Sequence, residues 1–178
     1  MDLWVFGYGS LMWRPNFRYA EAHAAVLEGG HRALCIYSVV HRGTHRAPGL
    51  VLGLDRGGVC QGIAYRVPAV AAQETRLYLK RRENVTNTYV AATRPVRLIE
   101  RDTEVAALCY MANRCHPQYT GPLGMERQAH LVRRGRGASG RNIDYVVNTV
   151  EHLRDCGVSD PLLERLMAML GHSARRGR

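Results

Sequence analysis

Lysine is nearly absent from this chain of 178 residues, and long apolar runs are absent altogether. Lys80 is the sole lysine among 25 basic residues, which leaves 25 − 1 = 24 arginines. No stretch of 18 apolar residues occurs, so the sequence predicts no transmembrane helix and no membrane partner. Internal repeats are missing as well, and the composition excludes a collagen, a disordered tail and a low-complexity array.

Cysteine is scarce, and its spacing matches neither a disulfide framework nor a zinc site. The count is odd, and no two cysteines form a C-x-x-C pair. Asp2 stands where a signal peptide has lysine or arginine, and Gly7 and Gly9 interrupt the apolar start. We therefore expect a cytoplasmic chain with reduced thiols, mostly small core residues, and leave open one reactive thiol. The cysteines are Cys35, Cys60, Cys109, Cys115 and Cys156.

The remaining composition is ordinary for a globular protein. Apolar residues make up 46% of the chain and charged residues 22%. A chain of this length buries roughly 70% of its unfolded surface, so it needs neither disulfide nor metal to fold. We expect one domain over residues 1–178.

A formal net charge of +10 points to an anionic partner, either a nucleic acid or an acidic small molecule. The arginines are spread along the chain, and the one compact cluster, residues 133–136, has no interleaved aromatic side chains. The sequence therefore favours a small molecule over nucleic acid, although RNA binding through that cluster stays open as an alternative. The oligomeric state is not predicted.

Strands fill most of the first two thirds of the sequence, and helices gather in the last third, so we predict an α+β fold. Glycines 29 and 30 are expected to separate two strands, and residues 55–58 to form a hairpin turn. The predicted strands are Leu3–Phe6, Ala24–Glu28, Ala33–Val40, Val51–Leu54, Val59–Val67, Tyr89–Ile99 and Glu104–Ala112. The predicted helices are Val70–Arg82, Gly124–Arg134, Asn142–Cys156 and one that starts at Pro161.

Local signals mark the ends of several helices. Asp160 is expected to cap the last helix, with Pro161 at its first position. The β-branched Val85 and Thr86 predict that the first helix has ended before them. Residues after His172 are expected to fray.

A glycine-rich loop follows the first strand, at Gly7-Tyr8-Gly9-Ser10. Met12 stands where a dinucleotide fingerprint needs its third glycine, and the glycines do not flank Ser10 as a nucleophile elbow requires. Two interpretations remain: a plain turn, or a nest of backbone N–H groups that binds an anion or a carbonyl oxygen. Glycine at position 9 permits positive φ and close approach of the backbone to a ligand.

Five polar or aromatic side chains have open interpretations. His41 and His45 are four residues apart, but no third ligand accompanies them, so we predict no metal site, and Arg42 could instead support a substrate pocket. Glu83 ends a predicted helix, where the helix dipole raises the pKa of a carboxyl group. It is either a solvated charge or a general base. Tyr145, off the apolar stripe of its helix, is either a pocket wall or an ordinary contact.

Several of these segments, taken in order, resemble the ChaC-like γ-glutamylcyclotransferase family from about residue 4 to 170. Each block alone is weak, whereas their order and spacing are specific. Leu50 departs from the arginine that often follows Pro-Gly in the family. The blocks are residues 5–15 (VFGYGSLMWRP), 41–43 (HRG), 48–49 (PG), 53–54 (GL), 62–66 (GIAYR), 78–83 (YLKRRE), 116–121 (HPQYTG) and 139–145 (SGRNIDY).

The resemblance implies a small mixed β-barrel with flanking helices and cleavage of glutathione into 5-oxoproline and cysteinylglycine. It implies Glu83 as general acid/base, with no metal, nucleotide or other cofactor. Two alternatives stay open: a cyclotransferase for other γ-glutamyl amides or amines, and a non-catalytic binder of acidic peptides. The expected substrate-binding residues are Val5, Phe6, Gly7, Tyr8, Gly9, Ser10, Leu11, Arg42 and Tyr145.

Overall fold

The computed structural model describes residues 1–83 and 87–171. Five strands form a closed barrel in the order β1-β3-β2-β4-β5, which confirms the α+β barrel prediction. The strands are β1 (Leu3–Gly7), β2 (Glu21–Ser38), β3 (Gly49–Val67), β4 (Tyr89–Leu98) and β5 (Thr103–Ala112). A separate two-stranded sheet joins β6 (Arg136–Gly137) to β7 (Gly140–Arg141).

The barrel is mixed because β1 has one antiparallel and one parallel neighbour. It pairs antiparallel with β3, where Gly7 lies opposite Ile63. It pairs parallel with β5, where Val5 lies opposite Leu108. Parallel pairing brings the C-terminal ends of β1 and β5 to the same end of the barrel. The glycine-rich loop after β1 therefore lies at the end of the barrel where β5 finishes.

Two predicted breaks in the strands are wrong. β2 continues through Gly29 and Gly30, and β3 continues through residues 55–58. Gly29, Gly57 and Gly58 have φ of 75°, 92° and 73°, values that glycine adopts without strain. These glycines bend a continuous strand, as residues at a bulge do, and do not end it.

Four helices accompany the strands, three of them in the last third of the chain as predicted. The predicted bounds agree with the observed ones to within one residue wherever both are given. The predictions for Val85, Thr86 and the residues from His172 onward lie outside the described residues. The helices are α1 (Ala69–Glu83), α2 (Met125–Arg134), α3 (Asn142–Asp155) and α4 (Pro161–Met169). No described helix has the length and apolar character that crossing a membrane demands.

The chain forms two compact units, and β2 and β3 each contribute residues to both. The first unit comprises the described residues of Met1–Ala33 and Gly53–Tyr119. Its core packs α1, through Ala71 and Leu79, against side chains of β1 and β5. The second comprises Leu34–Leu52 and the described residues from Thr120 onward, including α2, α3 and α4. That the whole chain is one domain stays a prediction.

The Asp160 cap of α4 permits a stability prediction. Its carboxylate accepts a hydrogen bond from the Leu163 amide at 3.1 Å, an amide that has no acceptor within the helix. Asp160→Ala is expected to lower the free energy of unfolding by about 1 kcal/mol. Urea denaturation measures this, with Ser159→Ala as control, since Ser159 only touches Glu164 at an exposed site. An unchanged midpoint for Asp160→Ala would contradict the cap.

Candidate active site

The glycine-rich loop turns sharply where β1 ends. Residues Ser10–Met12 form a single 3-10 turn, in which the Met12 amide donates to the Gly9 carbonyl at 2.8 Å. Gly9 has φ −136°, so it does not use the positive φ that glycine permits. The anion-nest interpretation of the loop stays a prediction.

Two buried side chains, Tyr65 and Arg32, donate hydrogen bonds to carbonyl groups of this loop. Tyr65 donates its hydroxyl to the carbonyls of Leu11 and Met12, at 3.0 and 2.8 Å. Arg32, only 7% exposed, donates to the Tyr8 carbonyl at 2.5 Å and to the Gln61 carbonyl at 2.7 Å. The guanidinium therefore fixes the loop against β3.

Close approach of the strands also depends on Gly62 of β3. A Cβ atom there would lie 2.2 Å from the Gly7 carbonyl oxygen and within 3 Å of the Phe6 ring. No larger residue fits without moving the backbone from which the loop starts. Gly62 was part of the family resemblance, and this contact gives it a physical role.

Arg32 carries a prediction about this loop. Hydrogen bonds to a charged group contribute roughly 1.5–3 kcal/mol, so Arg32→Met is expected to lower kcat/KM about 10- to 100-fold. Arg66→Met is the matched control, because Arg66 on β3 forms ion pairs with Asp2 and Glu21 instead. Steady-state kinetics on both variants checks this. Equal effects of the two substitutions would show that Arg32 has no special relation to the loop.

Glu83 is the last residue of α1, and its side chain is only 17% exposed. Burial raises its pKa, and the Arg82 guanidinium, 3.4 Å from its Oε1 atom, opposes that shift. The net shift is upward. A carboxyl group with a raised pKa holds a proton more tightly than a free carboxyl group, so it can return a proton that it has accepted. This is the property of a general acid/base.

Arg82 links the end of α1 to the loop. Its guanidinium donates to the Ser10 hydroxyl at 2.8 Å and to the Arg14 carbonyl at 2.7 Å. It also donates to the Tyr78 hydroxyl, one helical turn earlier, at 2.7 Å. The structure thereby brings Glu83 and the loop together, although they are more than 70 residues apart in sequence. Arg82 was not among the predicted site residues.

The charge of Glu83 affects the pKa of Tyr110, a residue of β5. Burial raises the pKa of the Tyr110 hydroxyl, and the Glu83 carboxylate raises it further. Tyr110 belongs to the core cluster that includes Leu79 of α1. Tyr110 and Glu83 therefore lie within electrostatic range of each other.

The second unit holds the other two predicted residues, Arg42 and Tyr145, and brings them together. The Arg42 guanidinium lies over the Tyr145 ring, 5.5 Å from its centre, within the range of a cation–π contact. It also donates to the Ser139 carbonyl at 2.5 Å. The Tyr145 hydroxyl accepts from the Leu52 amide at 3.0 Å.

Asn142 organises the same region and was not predicted. It is fully buried, accepts from the Leu50 amide at 2.6 Å and donates to the Leu50 carbonyl at 2.8 Å. This paired contact fixes the start of α3 against β3. An asparagine at the predicted start of a helix reads as a cap, so sequence reasoning had no signal for a contact 92 residues away.

Three predicted substrate-binding residues are core residues. Val5, Phe6 and Leu11 are at most 5% exposed, so their side chains are buried. Any contact with a ligand at these positions involves their backbone groups. Gly7, Tyr8, Gly9 and Ser10 complete the predicted set in the loop.

Histidine and cysteine side chains lie outside these arrangements. The His41 ring bonds to the Ser139 hydroxyl at 2.9 Å. Among the described residues no group of three His, Cys, Asp or Glu side chains has the arrangement of a metal site. All five cysteines are free thiols. Burial raises the pKa of Cys109 to about 12, so it is not a nucleophile near neutral pH.

Comparison with known proteins identifies the family. The sequence profile described as ChaC-like protein matches residues 3–173. A glutathione-specific gamma-glutamylcyclotransferase from Escherichia coli is 33% identical over 93% of this chain and 71% of the relative. A glutathione-specific gamma-glutamylcyclotransferase 1 from Danio rerio is 37% identical over 95% of this chain and 89% of the relative.

A solved structure shares the fold. The crystal structure of a gamma-glutamyl cyclotransferase specific to glutathione from yeast superimposes with a TM-score of 0.84 over 96% of both chains. Its sequence identity is 24%, so this likeness concerns the fold. The family profile and the sequence relatives together show that the chain belongs to the ChaC-like protein family.

Proposed function

We propose that this chain is a γ-glutamylcyclotransferase that converts glutathione into 5-oxoproline and cysteinylglycine. The observation that carries the proposal is the buried Glu83 carboxyl group, joined to the glycine-rich loop through Arg82. Curated relatives at 33–37% identity that are named as glutathione-specific enzymes support the choice of substrate.

The reaction is an internal transfer that needs no co-substrate. The α-amine of the γ-glutamyl group attacks its own γ-carbonyl carbon, and a new C–N bond closes a five-membered ring. The amide bond to cysteine breaks, and a proton passes to the departing amine. Attack within one molecule has a large effective molarity once the chain is folded onto itself. The protein's task is to hold that folded conformation and to move the proton.

Glu83 moves the proton. In its ionised form it removes a proton from the substrate ammonium group, which makes the amine nucleophilic. The resulting carboxylic acid then donates that proton to the departing cysteinylglycine amine, which restores the ionised form. As the ring closes, the attacking nitrogen loses its second proton to solvent and becomes the N–H of the lactam. A raised pKa suits both steps, because the group must gain and lose a proton within one turnover.

The glycine-rich loop binds the reacting part of the substrate. We assign the backbone amides of the Tyr8–Ser10 segment to the substrate carboxylate or to the oxyanion that forms at the γ-carbon. That Arg42 and Tyr145 also bind the substrate is what the family resemblance implies and stays a prediction. We further propose that the chain acts in the cytoplasm as one domain.

Incubation with glutathione and assay for 5-oxoproline tests this function. We expect 5-oxoproline and cysteinylglycine in equal amounts and a higher kcat/KM for glutathione than for γ-glutamylcysteine, γ-glutamylalanine or a γ-glutamylamine. Faster use of γ-glutamylalanine or the amine would keep the reaction and replace the substrate. Release of 5-oxoproline from none of them, by folded protein, would refute the proposed function.

A further inference from the structure

A cavity of about 490 Å³ lies at the start of β4 and the end of β5. We call it the β4–β5 cavity. This volume is in the range of small-molecule sites, which often lie at the mouths of β-barrels. Its described lining residues are Arg56, Val90, Ala92, Arg94, Met111, Ala112, Asn113, Arg114 and Cys115.

Strand register separates this cavity from Glu83. In the β4–β5 pair Val90 lies opposite Met111, and directly opposite residues project from the same face. Arg94 lies four residues after Val90, so its side chain shares that face. Tyr110, next to Met111, projects from the other face, where it senses the charge of Glu83. The cavity and Glu83 therefore lie on opposite sides of β5.

The charge of the cavity is positive. Three guanidinium groups line it, and no acidic side chain is among the described lining residues. Asp55 compensates one of them, since Arg114 donates to its Oδ1 atom at 2.7 Å. Arg56 and Arg94 are left to face the cavity, and arginine stays protonated at any physiological pH.

The buried Nε atom of Arg94 has no hydrogen-bond acceptor among the described residues. Among the described residues, only its Nε atom and the Nδ1 atom of His23 are buried side-chain nitrogens or oxygens without a hydrogen-bond partner. The His23 atom has Glu100 at 3.8 Å. A buried guanidinium donor without an acceptor is costly, and such atoms commonly mark a missing ion or ligand.

We propose that the β4–β5 cavity binds a small organic carboxylate, held by Arg94 and Arg56 and separate from the Glu83 site. A guanidinium edge matches the two oxygens of a carboxylate. Val90, Ala92 and Met111 give the cavity an apolar wall, which an inorganic ion would leave uncovered. A carboxylate with a compact apolar body satisfies both the charge and the wall.

Cys115 provides a local reporter of occupancy. It is exposed and lines the cavity, whereas Cys156 lies on a different part of the chain and is partly exposed. Both thiols are alkylated with iodoacetamide, and the two rates are read from separate tryptic peptides. The probes are 5-oxoproline, its uncharged analogue 2-pyrrolidinone, and inorganic phosphate or chloride at matched ionic strength.

We expect 5-oxoproline to slow alkylation of Cys115 at least about threefold, because a pocket buries most of the surface of a bound ligand and so places it against lining side chains such as Cys115. 5-Oxoproline should not slow the alkylation of Cys156, and 2-pyrrolidinone should slow the alkylation of neither thiol. Arg94→Met should abolish the protection, and the exposed Arg56→Met should weaken it. Arg97→Met is the matched control on the same strand, since Arg97 pairs with Asp102 at an exposed site, and it should keep full protection.

Equal slowing by 2-pyrrolidinone, or full protection in folded Arg94→Met and in Arg56→Met, would overturn the proposal. Equal slowing by phosphate or chloride would show an adventitious ion only. The test is independent of the proposed function. Glu83→Gln should lose turnover and keep the protection of Cys115, whereas Arg94→Met should lose the protection and keep turnover.

Discussion

Replacing Glu83 with glutamine is expected to lower kcat by roughly 10²–10⁴-fold while leaving the fold intact. The amide is nearly the same size and shape as the carboxyl group, but it neither accepts nor returns a proton near neutral pH. Glu74→Gln is the matched control, because Glu74 lies on the same helix and is exposed. Near-normal turnover by folded Glu83→Gln would remove Glu83 from the mechanism and make Glu74 the next carboxyl group to test.

The same substitution is expected to stabilise the protein near neutral pH. Folding raises the pKa of Glu83 above its ordinary value of 4.5, so the folded state binds this proton more tightly than the unfolded state does. The stability from that proton is complete below pH 4.5 and is lost as pH rises through the raised pKa. Thermal denaturation at a series of pH values from 4.5 upward should show the Tm of the wild type falling relative to the Tm of Glu83→Gln.

The pH dependence of catalysis follows from the same shift. The reaction begins with ionised Glu83, so kcat/KM should fall as pH decreases through the raised pKa of that carboxyl group. The acid limb should lie above pH 4.5, and Glu74→Gln should not move it. An acid limb at or below pH 4.5 would show that another group controls the rate.

Local signals in the sequence were sufficient for most helices. Asp160 and Pro161 mark the start of α4 because an N-cap depends on neighbouring residues alone. Glu83 was placed at the end of α1 for the same reason, since helix-forming residues run without interruption up to it. The family resemblance, and not the spacing, assigned it a catalytic role.

The hairpin turn predicted at residues 55–58 is absent, and the cause lies in residues that are distant in sequence. Asp55 followed by glycines is a typical hairpin signal. In the fold, the Asp55 carboxylate accepts hydrogen bonds from Arg114 at 2.7 Å and from Tyr119 at 2.8 Å. These partners are 59 and 64 residues away and hold the segment within a continuous strand. No local pattern contains them.

The residues of the candidate site that were not predicted also act through contacts that are long-range in sequence. Arg32 reaches the Tyr8 carbonyl across 24 residues, and Arg82 reaches the Ser10 hydroxyl across 72 residues. In the sequence both are ordinary members of an arginine-rich chain. The closed barrel shows that Arg32 and Arg82, among the described arginines, contact the loop, because barrel closure brings distant strands together.

Blocking the substrate amine is expected to abolish the reaction. In N-acetylglutathione the γ-glutamyl nitrogen is part of an amide, whose lone pair is delocalised and does not attack the γ-carbonyl. S-methylglutathione is the matched control, since it alters the thiol, which takes no part in ring closure, and leaves the amine free. We expect 5-oxoproline from S-methylglutathione and no cleavage of N-acetylglutathione.

The products distinguish internal attack from the other ways to break the same bond. If water or a protein nucleophile attacked the γ-carbonyl, N-acetylglutathione would still be cleaved and would release N-acetylglutamate and cysteinylglycine. Mass spectrometry of the reaction mixture separates these outcomes. Appearance of N-acetylglutamate would contradict the cyclisation and assign Glu83 to the activation of water instead. With internal attack, Glu83 takes its proton from the substrate amine before it protonates the departing amine, and a substrate without that amine gives it no proton to remove.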